Sequence, residues 1–265
     1  MLKVKKGNNL PTISIVIPAF NKASYIEETL QSIVDQKYPN LEVIIKDGGS
    51  TDGTLKIIKK YTNKYPGVFF CKSQTDNGQT DAINWGLKKA KGEVLTYINA
   101  DDYYERGALL TVGKYFMKYP ETVWLAGQGR VVNQKGHEIV KSVTIFKNLL
   151  LRINNFTLLL IINYLIQPSV FVSASAYAKF GPFGGIGRVV MEYGLWLRLG
   201  SYKMPNIINT PLASFRLVKG GLSLSSFEAI LKEDSNLILK FTKSPIIHLF
   251  HKAFNLGRIA LFARK

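Results

Sequence analysis

Short apolar runs alternate with amphipathic segments along the first hundred residues. Ile13–Pro18 (ISIVIP) is rich in β-branched residues and stops at a proline, which predicts a buried parallel strand. Ser24 and Glu27 have capping-box spacing, and Ile26, Leu30, Ile33 and Val34 share one face of the helix that would follow. Leu41–Ile45 predicts a second strand, Asp47–Gly53 a turn-rich loop, and Thr54–Tyr61 a second helix with Leu55, Ile57 and Ile58 apolar. Val68–Cys71 reads as a strand, Ala82–Ala90 as a helix, and Glu93–Ile98 as a fourth strand running into Asn99, Ala100, Asp101 and Asp102. This alternation predicts an α/β fold, a parallel sheet with helices on both faces.

Ligands of such sheets bind at the carboxyl ends of the strands. Polar residues gather there: Asn21 after the first strand, Asp47 and Asp52 after the second, Asp76 and Asp81 after the third, Asp101 and Asp102 after the fourth. Six of the 11 acidic residues before Tyr103 stand in these loops, a recurrence that a solvated loop does not by itself require. Neither a GxxxxGK[ST] loop nor a GxGxxG after the first strand is present, so a backbone phosphate grip is not evident. Adjacent carboxylates at a strand end suit a hard divalent cation, Mg2+ or Mn2+, with positions open to diphosphate oxygens. Asp101 and Asp102 are the candidates, although two aspartates ahead of a helix also serve as caps.

Composition narrows the classes. The 265 residues are 46% apolar and 12% aromatic, enough for a full core and unlike a disordered chain. Cys71 is the only cysteine, which excludes an internal disulfide and a cysteine-built zinc site and fits a reducing compartment. Met1–Lys6 is basic but no apolar core follows it, so no secretory signal is read and a cytoplasmic location is expected. The formal charge of +17 is lopsided: Met1–Asp102 carries 14 basic and 11 acidic residues, Tyr103–Lys265 21 and 7. The second part would attract phosphate, whether of nucleic acid or of anionic lipid.

Several blocks carry a resemblance. IVIPAFNKASYIEETLQSIVDQKYPNLEVIIKDGGSTDGT (Ile15–Thr54), DNGQTDAINWGLKKAKGEVLTYINADD (Asp76–Asp102), QPSVF (Gln167–Phe171) and MEYGLWLRL (Met191–Leu199) together resemble inverting glycosyltransferase family 2, over about Ile13–Ser226. The resemblance implies a GT-A-like nucleotide-binding parallel or mixed sheet flanked by helices, with a helical C-terminal region. It implies that Pro18, Ala19 and Phe20 line the nucleotide pocket and that Asp47 contacts the base edge, as a carboxylate accepts from an imide or amide N–H. Asp76, Gly78 and Asp81 would close over ribose and diphosphate. Asn99–Asp102 takes the place of the family's DxD-type motif, with Asp102 as metal ligand and Asp101 shared between metal and sugar nucleotide.

Inversion also needs a carboxylate to take the acceptor's proton, and Glu192 stands where the family carries its catalytic Asp or Glu. Relatives commonly have a second acid two residues on, where this chain has Gly194. A histidine frequent in relatives after the arginine of SFRxHxxSLS is absent; Arg216 or Lys219 would supply the charge, and an arginine bonded to nearby backbone explains the same letters. Gln167, Trp196 and Arg216 are expected on the acceptor side.

The implied partners are a nucleotide-sugar donor and a glycan or lipid-linked acceptor. Phe156–Ile166 is uncharged but far short of the ~20 residues that span a bilayer. Ser235–Lys265 holds six Lys/Arg and no acid among many apolar residues, which suits either a helix on an anionic membrane surface or a core helix with a basic outer side. The expected division is a tail over 1–10, a catalytic domain over 11–226 with nucleotide-binding (11–102) and acceptor (103–226) halves, and a basic helical region over 227–265. Two rival classes are a sugar nucleotidyltransferase, which would carry a glycine-rich basic loop after the first strand, and a nucleic-acid-binding module. No recognition helix or aromatic platform supports the latter, and no nucleic-acid partner is expected.

Overall fold

A computed structural model describes residues 10–184, 190–218 and 227–262, except the side chains of 227–230 and 258–262. The first part consists of β1 (Ile13–Ala19), α1 (Ile26–Val34), β2 (Leu41–Asp47), α2 (Thr54–Lys64), β3 (Phe69–Ser73), α3 (Gln79–Lys89) and β4 (Val94–Tyr97). There follow β5 (Tyr103–Tyr104), α4 (Ala108–Lys118), β6 (Trp124–Val132), α5 (Lys141–Ile153), α6 (Phe156–Ile161), a 3₁₀ turn (Gln167–Ser169), β7 (Val170–Ser173), α7 (Ala174–Phe180), α8 (Met191–Tyr202), β8 (Asn206–Arg216), α9 (Phe227–Ile238) and α10 (Pro245–Phe262).

One mixed sheet runs through both expected halves, in the order β3-β2-β1-β4-β7-β6-β8-β5. β1, β2, β3 and β4 pair in parallel, whereas β7 is antiparallel to both β4 and β6, and β8 runs parallel to β6. Alternate residues of β1 face opposite layers: Ile13, Ile15 and Ile17 pack on Ile26, Leu30 and Ile33 of α1, while Val16 joins Ile83 and Leu87 of α3. Both faces are therefore apolar, as a sheet between two helical layers requires. Pro18 lies past the last residue of β1 that pairs with β4, where its missing N–H costs no ladder bond.

β5 starts six residues after β4 ends but pairs with β8 at the far edge of the strand order. Four strand spacings are ~19 Å, and the intervening chain is folded into a turn by Asp102 N–H to Asn99 O at 3.1 Å. The sheet accordingly curls, bringing β8 back onto the carboxyl end of β4. Two glycines permit the close approach: a Cβ on Gly127 would lie 2.3 Å from Leu212 Cδ1 and one on Gly129 2.6 Å from Ile166 Cγ2.

The capping box at Ser24 does not form. α1 begins at Ile26 with no side-chain cap, because Asn21 takes a left-handed φ of 50° and both Tyr25 and Ile26 N–H groups donate to Lys22 O, at 3.0 and 2.9 Å. Phe156–Ile166 is core: Leu159, Leu160, Tyr164 and Leu165 are buried. The C-terminal helix α10 packs on the body, with His251 Nδ1 3.0 Å from Ile161 O and Ile247 and Phe254 against the core. Its outward side carries Ile246, Leu249, Phe250 and Leu256 as well as Lys252. Among the described residues no helix is long and apolar enough to cross a membrane.

Trp196, expected beside the acceptor, is corrected by its packing. It is 2% exposed, stacked on Trp124 at 5.7 Å and 17°, and edge-on to Phe183 at 5.9 Å, which leaves no surface for a ligand. As a core side chain it should cost about 3–5 kcal/mol when truncated in Trp196→Ala, measurable as a lowered midpoint in urea unfolding; a change under about 1 kcal/mol would contradict this packing.

Candidate active site

The candidate residues gather at the carboxyl ends of β1, β2 and β4. Pro18 and Ala19 are buried within β1, so only Phe20, 60% exposed, offers side-chain surface there. Gly48 forms a floor: a Cβ at that position would be 3.2 Å from Asp76 Oδ2 and 3.4 Å from the Phe20 ring. A flat group between Phe20 and Asp76 would thus rest on bare backbone. Asp76 also receives Gly78 N–H at 3.0 Å and the Lys46 ammonium at 3.1 Å. Gly78 has a left-handed φ of 106°, the entry to α3, and the exposed Asp81 accepts Asn77 N–H at 3.2 Å. Asp81 is therefore used by its own loop.

Asp47, expected at the base edge, is wholly buried. Its oxygens accept Gly49 N–H (3.2 Å), Ser50 N–H (3.2 Å), Ser50 Oγ (2.5 Å) and Ser73 Oγ (2.6 Å). In this arrangement the carboxylate holds the Gly48–Ser50 turn to the end of β3, and a ligand reaches it only if a serine hydroxyl turns away.

The two aspartates after β4 divide sharply. Asp102 is 0% exposed and accepts Arg216 N–H at 2.8 Å and Asn99 Nδ2–H at 3.1 Å. Burial, and then the neighbouring Asp101 charge, push its carboxyl well above the usual carboxylate range, against those two hydrogen bonds. Asp102, expected as the leading metal ligand, has its carboxylate turned to protein in this arrangement. Asp101 keeps its carboxylate at the cleft, 2.5 Å from Lys22 Nζ, a partner that sequence reasoning missed although Lys22 directly follows Asn21 at the end of β1. No group of three His, Cys, Asp or Glu comes together among the described residues. A Mg2+ or Mn2+ ion held here would have Asp101 as its protein ligand, in exchange for Lys22, and would take its other ligands from diphosphate and water.

Arg216 is also corrected from the acceptor side to a brace for this turn. Its guanidinium is buried between Tyr25 and Tyr103, 5.4 and 5.3 Å from the ring centroids, and donates to Asp101 O (2.8 Å), Gln134 O (2.8 Å) and Glu28 (2.5 Å). Lys219 falls outside the described residues.

Glu192 stands in the first turn of α8, and contacts run from its neighbour Met191 to the end of β4. Thr80 Oγ1 lies 2.9 Å from Met191 Sδ, Gln79 Nε2 donates to Asn99 Oδ1 at 2.6 Å, and Asn99 in turn donates to Asp102. The Tyr97 hydroxyl is raised by burial and then by the charges of Glu192 and Asp102, so both carboxylates act on one buried group. Burial raises Glu192 to about 7, the carboxylate of Asp234 adds to the rise, and the Lys147 ammonium and the residue's own backbone N–H oppose it. A carboxyl poised there is suited to general-base work at neutral pH. Gln167 donates from Nε2 to Tyr97 O at 2.8 Å, while its buried Oε1 has no hydrogen-bond partner among the described residues. Lys147, Asp234 and Gln79 carried no signal in the sequence, because each enters only through tertiary contact.

Comparison with known proteins places this geometry. An uncharacterized glycosyltransferase of Rickettsia typhi is 27% identical over 273 residues, covering 99% of this chain and 83% of the relative. An uncharacterized glycosyltransferase of Haemophilus influenzae is 37% identical over 95 residues, or 36% of this chain and 38% of that protein. The putative teichuronic acid biosynthesis glycosyltransferase TuaG of Bacillus subtilis is 32% identical over 99 residues, 37% and 39% of the two chains. The chain thus spans less than two fifths of the latter two proteins. The solved structure of a mannosyltransferase from Pyrobaculum calidifontis, in complex with GDP-Man and Mn2+, aligns with a TM-score of 0.68 at 18% identity, covering 96% of this chain and 76% of that one. This likeness shows the GT-A-like fold. The family model described as glycosyl transferase family 2 matches residues 14–181, and the chain belongs to that family.

Proposed function

We propose that the chain is a Mg2+- or Mn2+-dependent inverting hexosyltransferase. It moves a sugar from a nucleoside diphosphate to a hydroxyl of a glycan or lipid-linked acceptor in cell-surface polysaccharide assembly, at the cytoplasmic face of the membrane. What supports this reading is the run of contacts from Met191, next to Glu192, through Thr80, Gln79 and Asn99 to Asp102, together with the charges of Glu192 and Asp102 both acting on the buried Tyr97 hydroxyl.

In this reading the base stacks on Phe20 above the Gly48 floor, with Asp76 at its rim and Asp47 admitted when the Ser50 hydroxyl rotates. Asp101 holds the metal, and Asp102 fixes Asp101 by binding the β8 backbone. A metal bound there would neutralise charge developing on the departing diphosphate. Glu192 accepts the proton of the attacking hydroxyl on the face opposite that diphosphate. The unpaired Oε1 of Gln167 supports a role for this residue in accepting a hydrogen bond from the acceptor or donor sugar. Peripheral contact with an anionic membrane belongs to the same reading, in keeping with the net charge of +17. Release of a nucleoside diphosphate rather than pyrophosphate separates this reaction from nucleotidyl transfer.

Glu192→Gln should lower turnover about 10²–10⁴-fold while donor affinity by calorimetry stays within about twofold; full turnover in the variant would remove Glu192 from the mechanism. A base must be deprotonated to act, so kcat/KM should fall about tenfold per pH unit below about 7 and level off above it. Lys147→Met, which deletes a charge that lowers Glu192, should shift that limb to higher pH. Asp101→Asn should abolish the tightening of donor binding by Mn2+ in calorimetry; equal tightening in variant and parent would refute the metal assignment.

A further inference from the structure

The helix α5 has its amphipathicity reversed. Its inner side packs on the sheet through buried Thr144, Leu150 and Leu151, and Asn148 grips the β6 backbone, donating to Gly129 O at 3.2 Å and accepting Gly129 N–H at 3.3 Å. Lys147, on the same side, donates to Leu165 O at 3.2 Å and acts electrostatically on Glu192. The solvent side is the apolar one. Ile145, Leu149 and Ile153 are 60%, 53% and 63% exposed, with Phe146 beside them. At 3.6 residues per turn these four fall within an arc of about 100°, opposite Thr144, Lys147 and Leu151. Lys141 and Arg152, both exposed, lie along one edge of the arc.

A contiguous apolar stripe turned to water marks an interaction surface, and the charges around it select the partner. From Ile139 to Met191 the chain contains no Asp or Glu, so nothing within this stretch repels a phosphate-bearing surface. Apolar side chains flanked by Lys and Arg match a bilayer interface with anionic headgroups.

We propose that the outer face of α5 docks on an anionic membrane, with Ile145, Phe146, Leu149 and Ile153 in the interface and Lys141 and Arg152 against lipid phosphates. Lys147, on the inner side of the same helix, acts electrostatically on Glu192, so docking through the outer side of α5 would bring the site towards the lipid surface. The docking surface rests on the glycosyltransferase reading only in its purpose, the meeting with a lipid-linked acceptor; the binding itself stands separately.

Flotation of the full chain with vesicles tests it, using phosphatidylglycerol in phosphatidylcholine against phosphatidylcholine alone. The chain should float with the anionic vesicles, and retention should fall about fivefold or more in Ile145→Ser/Leu149→Ser and in Lys141→Glu/Arg152→Glu. The thermal midpoint and the donor-induced thermal shift should be unchanged. Parental retention in the α5 serine variant, with loss only in Ile246→Ser/Leu249→Ser, would transfer docking to α10 and overturn the proposal. So would absence of binding to anionic vesicles, or a dimer in sedimentation that the α5 serine variant dissociates. Vesicle binding that follows α5 in a chain with no sugar transfer would uphold the docking and sink the catalytic reading instead.

Discussion

The site depends on a single buried hydrogen bond across the sheet, from the Arg216 N–H of β8 to the Asp102 carboxylate at the end of β4, 2.8 Å long. β4 and β8 do not pair with each other, and three strand spacings separate them in the strand order. The bond is possible only because the sheet curls. Once made, it fixes the Asn99–Asp102 turn, because the Arg216 side chain also binds Asp101 O and Glu28 while two tyrosine rings enclose it. Asp101 is thereby held with its backbone braced from below and its carboxylate turned to the cleft. Two adjacent, chemically identical residues are given opposite tasks by which way the turn points them.

Burial sets the chemistry of the other groups as well. Removing a carboxylate from water disfavours its charge, and Asp102 and Glu192 both respond by a raised pKa. The environments differ in what opposes that rise. Asp102 has two strong donors aimed at it, which suits a fixed structural acceptor. Glu192 has its own backbone N–H and the more distant charge of Lys147, so its proton remains exchangeable near neutrality. The same physical effect therefore supports a brace in one case and the proposed base in the other. Lys46 is a third example: its buried ammonium is neutralised within the β2–β3 edge by Asp76 and by the carbonyls of Asp47 and Gln74, so it stiffens the loop that carries the Gly48 floor.

The parallel part of the fold was legible because each βα unit is encoded over a short window: a β-branched run, a loop, then an apolar helical face. Every strand and helix expected before Asp102 is present, with ends displaced by a few residues. The helix start at Ser24 was misread because the left-handed Asn21 and the turn at Lys22 capture the N–H groups that a capping box would have served. Beyond Asp102 two strands are too short to signal themselves; β5 has two residues and β7 four, and they exist through pairing with distant strands. Site residues followed the same rule. Asp101, Asp102 and Glu192 were visible as a motif, but the roles of the two aspartates depend on Arg216, 114 positions away from Asp102. Trp196 had the letters of a binding residue and the surroundings of a core one, and only Trp124 and Phe183, brought in by β6 and the segment before α8, decide between them.

Hydropathy alone misleads in the acceptor half for a related reason. Phe156–Ile166 and α5 are both apolar and both lack acids, yet the first fills the interior beside α8 while the second shows its apolar side to water. What separates them is where the sheet leaves room. α6 is six residues long and lies against α8 and α10, so Leu159 and Leu160 are buried and Leu158 is half-buried. α5 covers β6 and the end of β8 with one narrow face, anchored by Asn148, and no described element covers the opposite face. Net charge has the same ambiguity: a lopsided positive count says only that phosphate is attracted, and the position of Lys141 and Arg152 along the rim of an exposed apolar stripe is what gives that attraction a direction.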